Sequence, residues 1–376
     1  MVETGELLWE AAVSMIIPKK PGERNVLRFV FCIWFMTTRP DGCYGSDGVV
    51  GPQQSEGTVT MFGSQNIGLA LGSGGARGLA HAGVLQALEE AGIRPHLVAG
   101  TSMGSIVGGL YAQDPDPAKV WRRLEAYVSN EDFASYWAPF IPRDEAEAKD
   151  PQSRLTGIFD FMQRKMMAVK TVTLAATHDT QQLRGPLAEL FGPVGFEELP
   201  ITMAAVALDL ISGDQVVYTT GPVVDGIYAS SAIPSVFPPI TSEGRMICDG
   251  GGPFRVPVEA CRDMGADFVI AVDIPAYEET SFSTGLDMIL RSNTIARQRL
   301  NRFVCAQADF VIRPEVTEFH WADFNAGKEC RQRGLEAGRA AVPDLTAQLR
   351  WRSSLPYRLK IRARKLLRMD KIPAPA

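Results

Sequence analysis

Histidine and cysteine are both scarce in this chain of 376 residues, with four of the first and six of the second. Cys32, Cys43, Cys248, Cys261, Cys305 and Cys330 show no C-x-x-C or other metal-ligand spacing, and nothing in their placement implies a disulfide framework. Reduced thiols in a cytoplasmic setting are therefore expected, with no metal and no other cofactor. The apolar run at residues 29–36 is eight residues long, too short to cross a membrane and at the lower limit for a signal-peptide core, and no small-x-small cleavage site follows it. No internal repeat is visible, and no motif for specific nucleic-acid recognition.

A hydrophobic content of 45% over this length is enough for a substantial core. Residues 1–60 read as a disordered extension or an upstream start, with Met61 as a natural beginning and a secretory or anchoring segment as the other reading. Residues 61–349 read as one domain. Within it, residues 114–198 form a cap or lid rich in Phe133, Tyr136, Trp137, Phe140, Phe159, Phe161, Met162, Met166 and Met167, suited either to a core or to acyl chains and lipid interfaces.

Residues 350–376 form a basic tail. Between Arg350 and Lys371 it carries nine basic residues and one acid, Asp370, in a chain whose net charge is −5. Such a tail on an acidic body fits peripheral attachment to an anionic membrane surface, and a solvated tail or nonspecific nucleic-acid contact is the alternative.

The most informative string is Gly100-Thr101-Ser102-Met103-Gly104, which ends a short apolar run and opens a helix of small residues, 103–112. That is the shape of a nucleophile elbow, where a strained serine needs small neighbours and the following helix points free N–H groups at the hydroxyl. Gly100 and Gly104 meet the steric demand. Alone, the pentapeptide is also compatible with an ordinary strand-to-helix turn. About thirty residues upstream, Gly72-Ser73-Gly74-Gly75-Ala76-Arg77-Gly78 lies in the same setting, between an apolar strand at 66–71 and a helix at 79–91.

Consecutive N–H groups beside a helix N-terminus hold an anion, or an oxygen that becomes one. A dinucleotide site would want a glycine where Arg77 stands and an acid at the end of the next strand; a P-loop would want Gly-Lys-Ser/Thr closing the turn. An oxyanion hole fits better, because two such turns of one sheet open at the same edge.

A third element, Met246-Ile247-Cys248-Asp249-Gly250-Gly251, follows Ala229-Ser230-Ser231-Ala232-Ile233-Pro234. With these four motifs in this order, the chain resembles the patatin-like phospholipase family, in particular its compact bacterial members, over roughly residues 66–345. The run from Gly252 to Val258 departs from the family pattern by lacking an Asn before its Pro-Val pair.

The resemblance implies a Ser-Asp dyad, with Ser102 as nucleophile, Asp249 as general base, and the N–H groups of Gly74 and Gly75, helped by Ala76, as oxyanion hole. Gly72, Arg77, Gly78, Gly100, Gly104, Gly250 and Gly251 would support these motifs. A carboxylate near pKa 3.9 is a weak base for a hydroxyl, so burial must raise it. The rival is a triad with His320, which follows Asp249 in the chain order of α/β-hydrolases but reads more simply as a surface or structural residue. His81 reads as a packing residue or local donor. Arg77 reads as a loop-fixing side chain or a cation beside a lipid phosphate, and Asp209 with Ser230 or Ser231 as scaffold around the site.

Strand patterns at 201–210, 215–219, 268–272 and 310–313 alternate with helical patterns at 258–264, 285–304 and 328–349. They imply an α/β fold, a three-layer α/β/α sandwich with a mostly parallel central sheet and its site at the carboxyl ends of the strands. The expected activity is that of a serine esterase acting on a lipid acyl ester, a phospholipid or lysophospholipid, through an acyl-enzyme. A catalytically weak lipid-binding or regulatory protein, or an acyltransferase using the same residues, is the alternative.

Overall fold

The structure is a computed structural model, and it describes residues 65–130, 133, 136, 137, 140, 176–276 and 285–354. The expected N-terminal extension, the middle of the cap with Phe159, Phe161, Met162, Met166 and Met167, and the tail beyond residue 354 lie outside the described residues.

Five strands form the parallel heart of the sheet, in the order β3 (Thr202–Asp209), β2 (Leu97–Thr101), β1 (Ile67–Leu71), β7 (Phe268–Val272) and β8 (Phe310–Ile312). Their alternation sorts side chains to two faces, both buried. On one face Leu69, Leu71, Val98, Met203, Ala205, Phe268, Ile270 and Val272 join the main core. On the other, Ala70, Ala99, Ala204 and Ala271 keep the layer thin beneath Val258 and Cys261 of helix α6 (Val258–Asp263). Burial on both faces explains why these strands read as continuous apolar runs.

Helix α1 (Ala80–Glu90) follows a 3₁₀ turn, Gly75–Leu79, and α2 (Met103–Gln113) follows β2 directly. Helix α3 (Pro117–Val128) starts at Asp116, whose carboxylate accepts from the N–H groups of Ala118 and Lys119. Helix α4 (Thr180–Phe191) opens on a reciprocal capping box between Asp179 and Gln182. Both fall in the expected cap. Its described aromatics are core: Phe133 and Trp137 are buried and meet the rings of Phe324, Phe237 and Trp321.

The long C-terminal helix α8 (Gly327–Ser353) lies against α1 closely enough that a Cβ on Gly334 would fall 1.9 Å from the Ala80 carbonyl oxygen, and one on Gly83 would fall 2.0 Å from that of Arg331. No described helix is long and apolar enough to cross a membrane.

The sheet departs from a purely parallel one at one edge, where β4 (Gln215–Tyr218), β5 (Ile240–Ser242) and β6 (Arg245–Asp249) run antiparallel. Helix α5 (Val223–Ser231) lies between β4 and β5 in the chain. Strand β3 outlasts β2, whose last pair is Thr101 with Val206. Beyond that point β6 takes over the vacated side of β3, pairing Asp249 with Ala207. Strand β4 overlaps both neighbours in register, so it must occupy the opposite side of β3. The carboxyl ends of β2 and β6 therefore meet end to end.

Candidate active site

Ser102 and Asp249 stand at that junction. Ser102 is buried with φ +55° and ψ −125°, a left-handed backbone that a non-glycine residue adopts at a cost of about 1–3 kcal/mol. Three bonds hold it there. Its N–H donates to Ser230 Oγ at 2.9 Å, Ser230 in turn donates to the Val206 carbonyl at 2.6 Å, and Ser105 Oγ donates to the Ser102 carbonyl at 2.6 Å. The neighbours must be small, as the motif implies: a Cβ at Gly104 would lie 2.2 Å from the Leu71 carbonyl oxygen, and one at Gly100 would lie 2.4 Å from that of Gly104.

Asp249 is buried, and desolvation pushes its carboxyl up to about 6, although hydrogen bonds from Ser102 and from the Gly251 N–H, with Arg255 and Arg297 nearby, pull the other way. The serine–carboxylate contact is direct. Gly251 donates to Oδ1 at 2.6 Å, and a Cβ at Gly251 would fall 2.4 Å from Ser73 Oγ, so only glycine lets this N–H approach. Gly250 lies against Val206 and Ala207.

The glycine-rich turn faces the pair. Its backbone is fixed where it leaves β1, by Gly72 donating to the Val272 carbonyl at 3.0 Å and Ser73 donating to that of Arg255 at 2.8 Å. Gly75 has φ +57°, and a Cβ there would lie 2.4 Å from the Trp321 carbonyl oxygen. The N–H groups of Gly74 and Gly75 donate to no acceptor among the described residues. Ala76 is a correction. Its N–H already donates to the Trp321 carbonyl at 2.7 Å, so it serves the loop and leaves two donors rather than three. Gly78 packs on Met103.

His81 Nε2 binds the Gly72 carbonyl at 2.7 Å, and burial lowers its pKa to about 4, so the neutral ring donates and fixes the turn from behind. Asp209 likewise accepts from the N–H groups of Ile211 and Met246 at the far end of β3. In the run from Gly252 to Val258, Arg255 Nη2 donates to the Ile274 carbonyl, and Thr101 Oγ1 donates to the Phe254 carbonyl at 2.9 Å.

These groups surround a cavity of about 470 Å³ lined by Ser73, Gly74, Gly75, Ser102, Asp249 and Gly251. Its walls add Arg77, Arg255, Arg291 and Arg297, and Asp249 is the one carboxylate among the described lining residues. Arg77 is buried, with Nε and Nη1 unpartnered, and burial together with Arg255 lowers it to about 10.

His320 and Trp321 also line the cavity. His320 is thus not a plain surface residue, but its Nδ1 accepts from the Ala322 N–H at 3.3 Å, and burial with the Arg77 charge pushes it down to about 4. A ring so weakly basic suits loop support better than proton abstraction.

The sequence profile of the family described as patatin-like phospholipase matches residues 69–262. A Caenorhabditis elegans protein described as patatin-like phospholipase domain-containing is 29% identical over 309 residues, covering 74% of this chain and 21% of its own length. An uncharacterised NTE family protein of Mycobacterium bovis is 34% identical over 215 residues, covering 57% of this chain and 51% of its own. A lysophospholipase of Eremothecium gossypii is 28% identical over 219 residues, covering 58% of this chain and 12% of its own. The chain thus spans about half the length of one of these relatives and much less of the other two.

Proposed function

Since the chain belongs to the patatin-like phospholipase family, we propose that it is a serine esterase that cleaves acyl esters of phospholipids or lysophospholipids by a Ser102–Asp249 dyad. The observation that carries this reading is the strained Ser102 hydroxyl donating to a buried carboxylate whose pKa lies near 6. Such a carboxylate is ionised at neutral pH yet a far better proton acceptor than an ordinary one.

In the first step Ser102 Oγ attacks the acyl carbonyl carbon while its proton passes to Asp249. The carbonyl oxygen becomes the oxyanion and takes the N–H groups of Gly74 and Gly75. Collapse breaks the ester bond, the leaving alcohol takes the proton from Asp249, and the acyl group stays on Ser102. Water then attacks that ester, giving a proton to Asp249, and collapse of this second intermediate releases the fatty acid as Asp249 returns the proton to Ser102 Oγ.

Four arginines against one carboxylate support an anionic substrate over a neutral one, since an added negative charge offsets their mutual repulsion. The name of the fungal relative, a lysophospholipase, supports a lipid that carries a phosphate.

Hydrolysis of a lysophospholipid and of a medium-chain p-nitrophenyl ester by the wild type, Ser102→Ala, Asp249→Asn and His320→Ala tests the reading. Both activities are expected to vanish in the first two variants and to persist in His320→Ala. Loss in His320→Ala would replace the dyad with a triad, and an inactive wild type would leave a lipid-binding protein.

A further inference from the structure

Helix α7 (Gly285–Cys305) turns a largely polar side to the protein and carries large apolar side chains outward. Residues 291, 294, 298 and 301 follow one another at helical spacing on the inward side, and they are Arg, Thr, Gln and Asn; only at its end does the helix turn apolar groups inward, Val304 and Cys305. Each is buried or half-buried; Asn301 donates to Asp273 at 2.7 Å. The opposite side carries Ile289, Ala296, Leu300 and Phe303, with Ser292 and Asn293 between them and Met288 and Ile295 along one edge, and Phe303 is 72% exposed and Ile289 63%. A helix buried by the hydrophobic effect has the reverse polarity, so these side chains are held in water by nothing the described fold supplies.

Charge and position indicate the occupant. The helix has Arg291, Arg297, Arg299 and Arg302 against one acid, Asp287, although the whole chain is net acidic at −5. None of the four arginines belongs to an ion pair among the described residues. Arg299 and Arg302 fall beside the row of Met288 and Ile295, which gives an apolar strip with a cationic border, the pattern of a helix lying in a lipid interface.

The same helix is also a wall of the cavity, through Leu290, Arg291, Thr294 and Arg297. Leu290 lines the cavity and is 54% exposed, so the cavity comes to the surface along this helix. A second copy of the chain seated here would cover the cavity's edge, whereas a lipid layer would present acyl chains to it.

We infer that the outward face of α7 is a docking surface for an anionic lipid bilayer, which sets the cavity mouth against the membrane plane. This rests on the lipid esterase reading for its purpose but not for its test. Binding is measured with full-length Ser102→Ala protein, by cosedimentation with phosphatidylcholine vesicles with and without phosphatidylserine. Combining Ile289→Glu, Leu300→Glu and Phe303→Glu is expected to weaken partition to the anionic vesicles by about tenfold or more. In an otherwise wild-type background, the same changes should leave hydrolysis of a short, water-soluble ester unchanged.

Arg299→Gln with Arg302→Gln, a milder change, should erase the preference for anionic over neutral vesicles. Undiminished partition in both variants would overturn the proposal. A wild-type dimer that becomes a monomer in the triple variant, with vesicle partition intact, would assign the face to a second copy instead. An inactive wild type that still loses vesicle binding on mutation would sink the esterase reading and keep the docking surface.

Discussion

Replacing Asp249 with Asn separates what the site gains from a buried charge from what the fold loses to it. Burial raises the carboxyl from 3.8 to about 6. A carboxyl with a folded value above its unfolded one holds its proton more tightly in the native state. Its contribution to stability is therefore complete below about pH 4 and is lost as the pH rises through about 6. The gap amounts to about 3 kcal/mol at neutral pH, taken as an upper bound.

Asn has the same shape, stays neutral, and keeps an Oδ1 acceptor for the Gly251 N–H that Asp249 holds at 2.6 Å. Asp249→Asn should therefore be more stable than the wild type near pH 7.5, by several degrees in Tm, and equal to it near pH 4. Its hydrolysis should fall by about 10²–10⁴-fold. Urea or thermal melts at the two pH values measure the first effect, and ester hydrolysis the second. A variant no more stable at pH 7.5, or stabilised equally at both pH values, would refute the account of Asp249 as a desolvated charge.

Three further outcomes are expected. With a neutral ester, kcat/KM should be flat above about pH 7 and fall about tenfold for each pH unit below 6; full activity at pH 5 would mean a base of ordinary pKa. Ser230→Ala removes the acceptor of the Ser102 N–H, and should cost about 1–3 kcal/mol in stability and lower kcat more than it raises KM; melts and initial rates check it, and an unchanged kcat would show that Ser230 does not hold the nucleophile. Gly334→Ala puts a methyl group 1.9 Å from the Ala80 carbonyl oxygen, and should cost about 1–3 kcal/mol by urea unfolding through forced separation of α1 and α8.

The parallel strands were legible because both faces of the sheet are buried: β1, β2 and β7 read as unbroken apolar runs, and the glycine turns after the first two mark where the chain must approach Ser102. What sequence proximity cannot carry was missed. The antiparallel entry of β6 depends on β3 outlasting β2, a matter of register between strands far apart in the chain. Ala76 loses its place among the oxyanion donors to a carbonyl on Trp321, about 245 positions away. Of the two readings of His320, surface or structural, the loop contact agrees with the structural one; its place in the cavity beside Arg77 has no signal in its own sequence neighbours. Helices α3 and α4 do carry local signals, Asp116 before Pro117 and Asp179 with Gln182 three residues on. Capping residues of this kind would have found them.

The meeting of β2 and β6 has a consequence for how few residues the site employs. In a Ser-His-Asp arrangement the base rides on a mobile side chain and a third residue aims it. In this chain Ser102 directly follows β2 and Asp249 ends β6, and both strands are registered against the same partner, β3. Backbone hydrogen bonds of the sheet thus supply the aiming that a third side chain would otherwise give. Any backbone motion that separates Ser102 from Asp249 must shear β3 from β2 or β6, so the two should keep their alignment whether or not an acyl chain is bound.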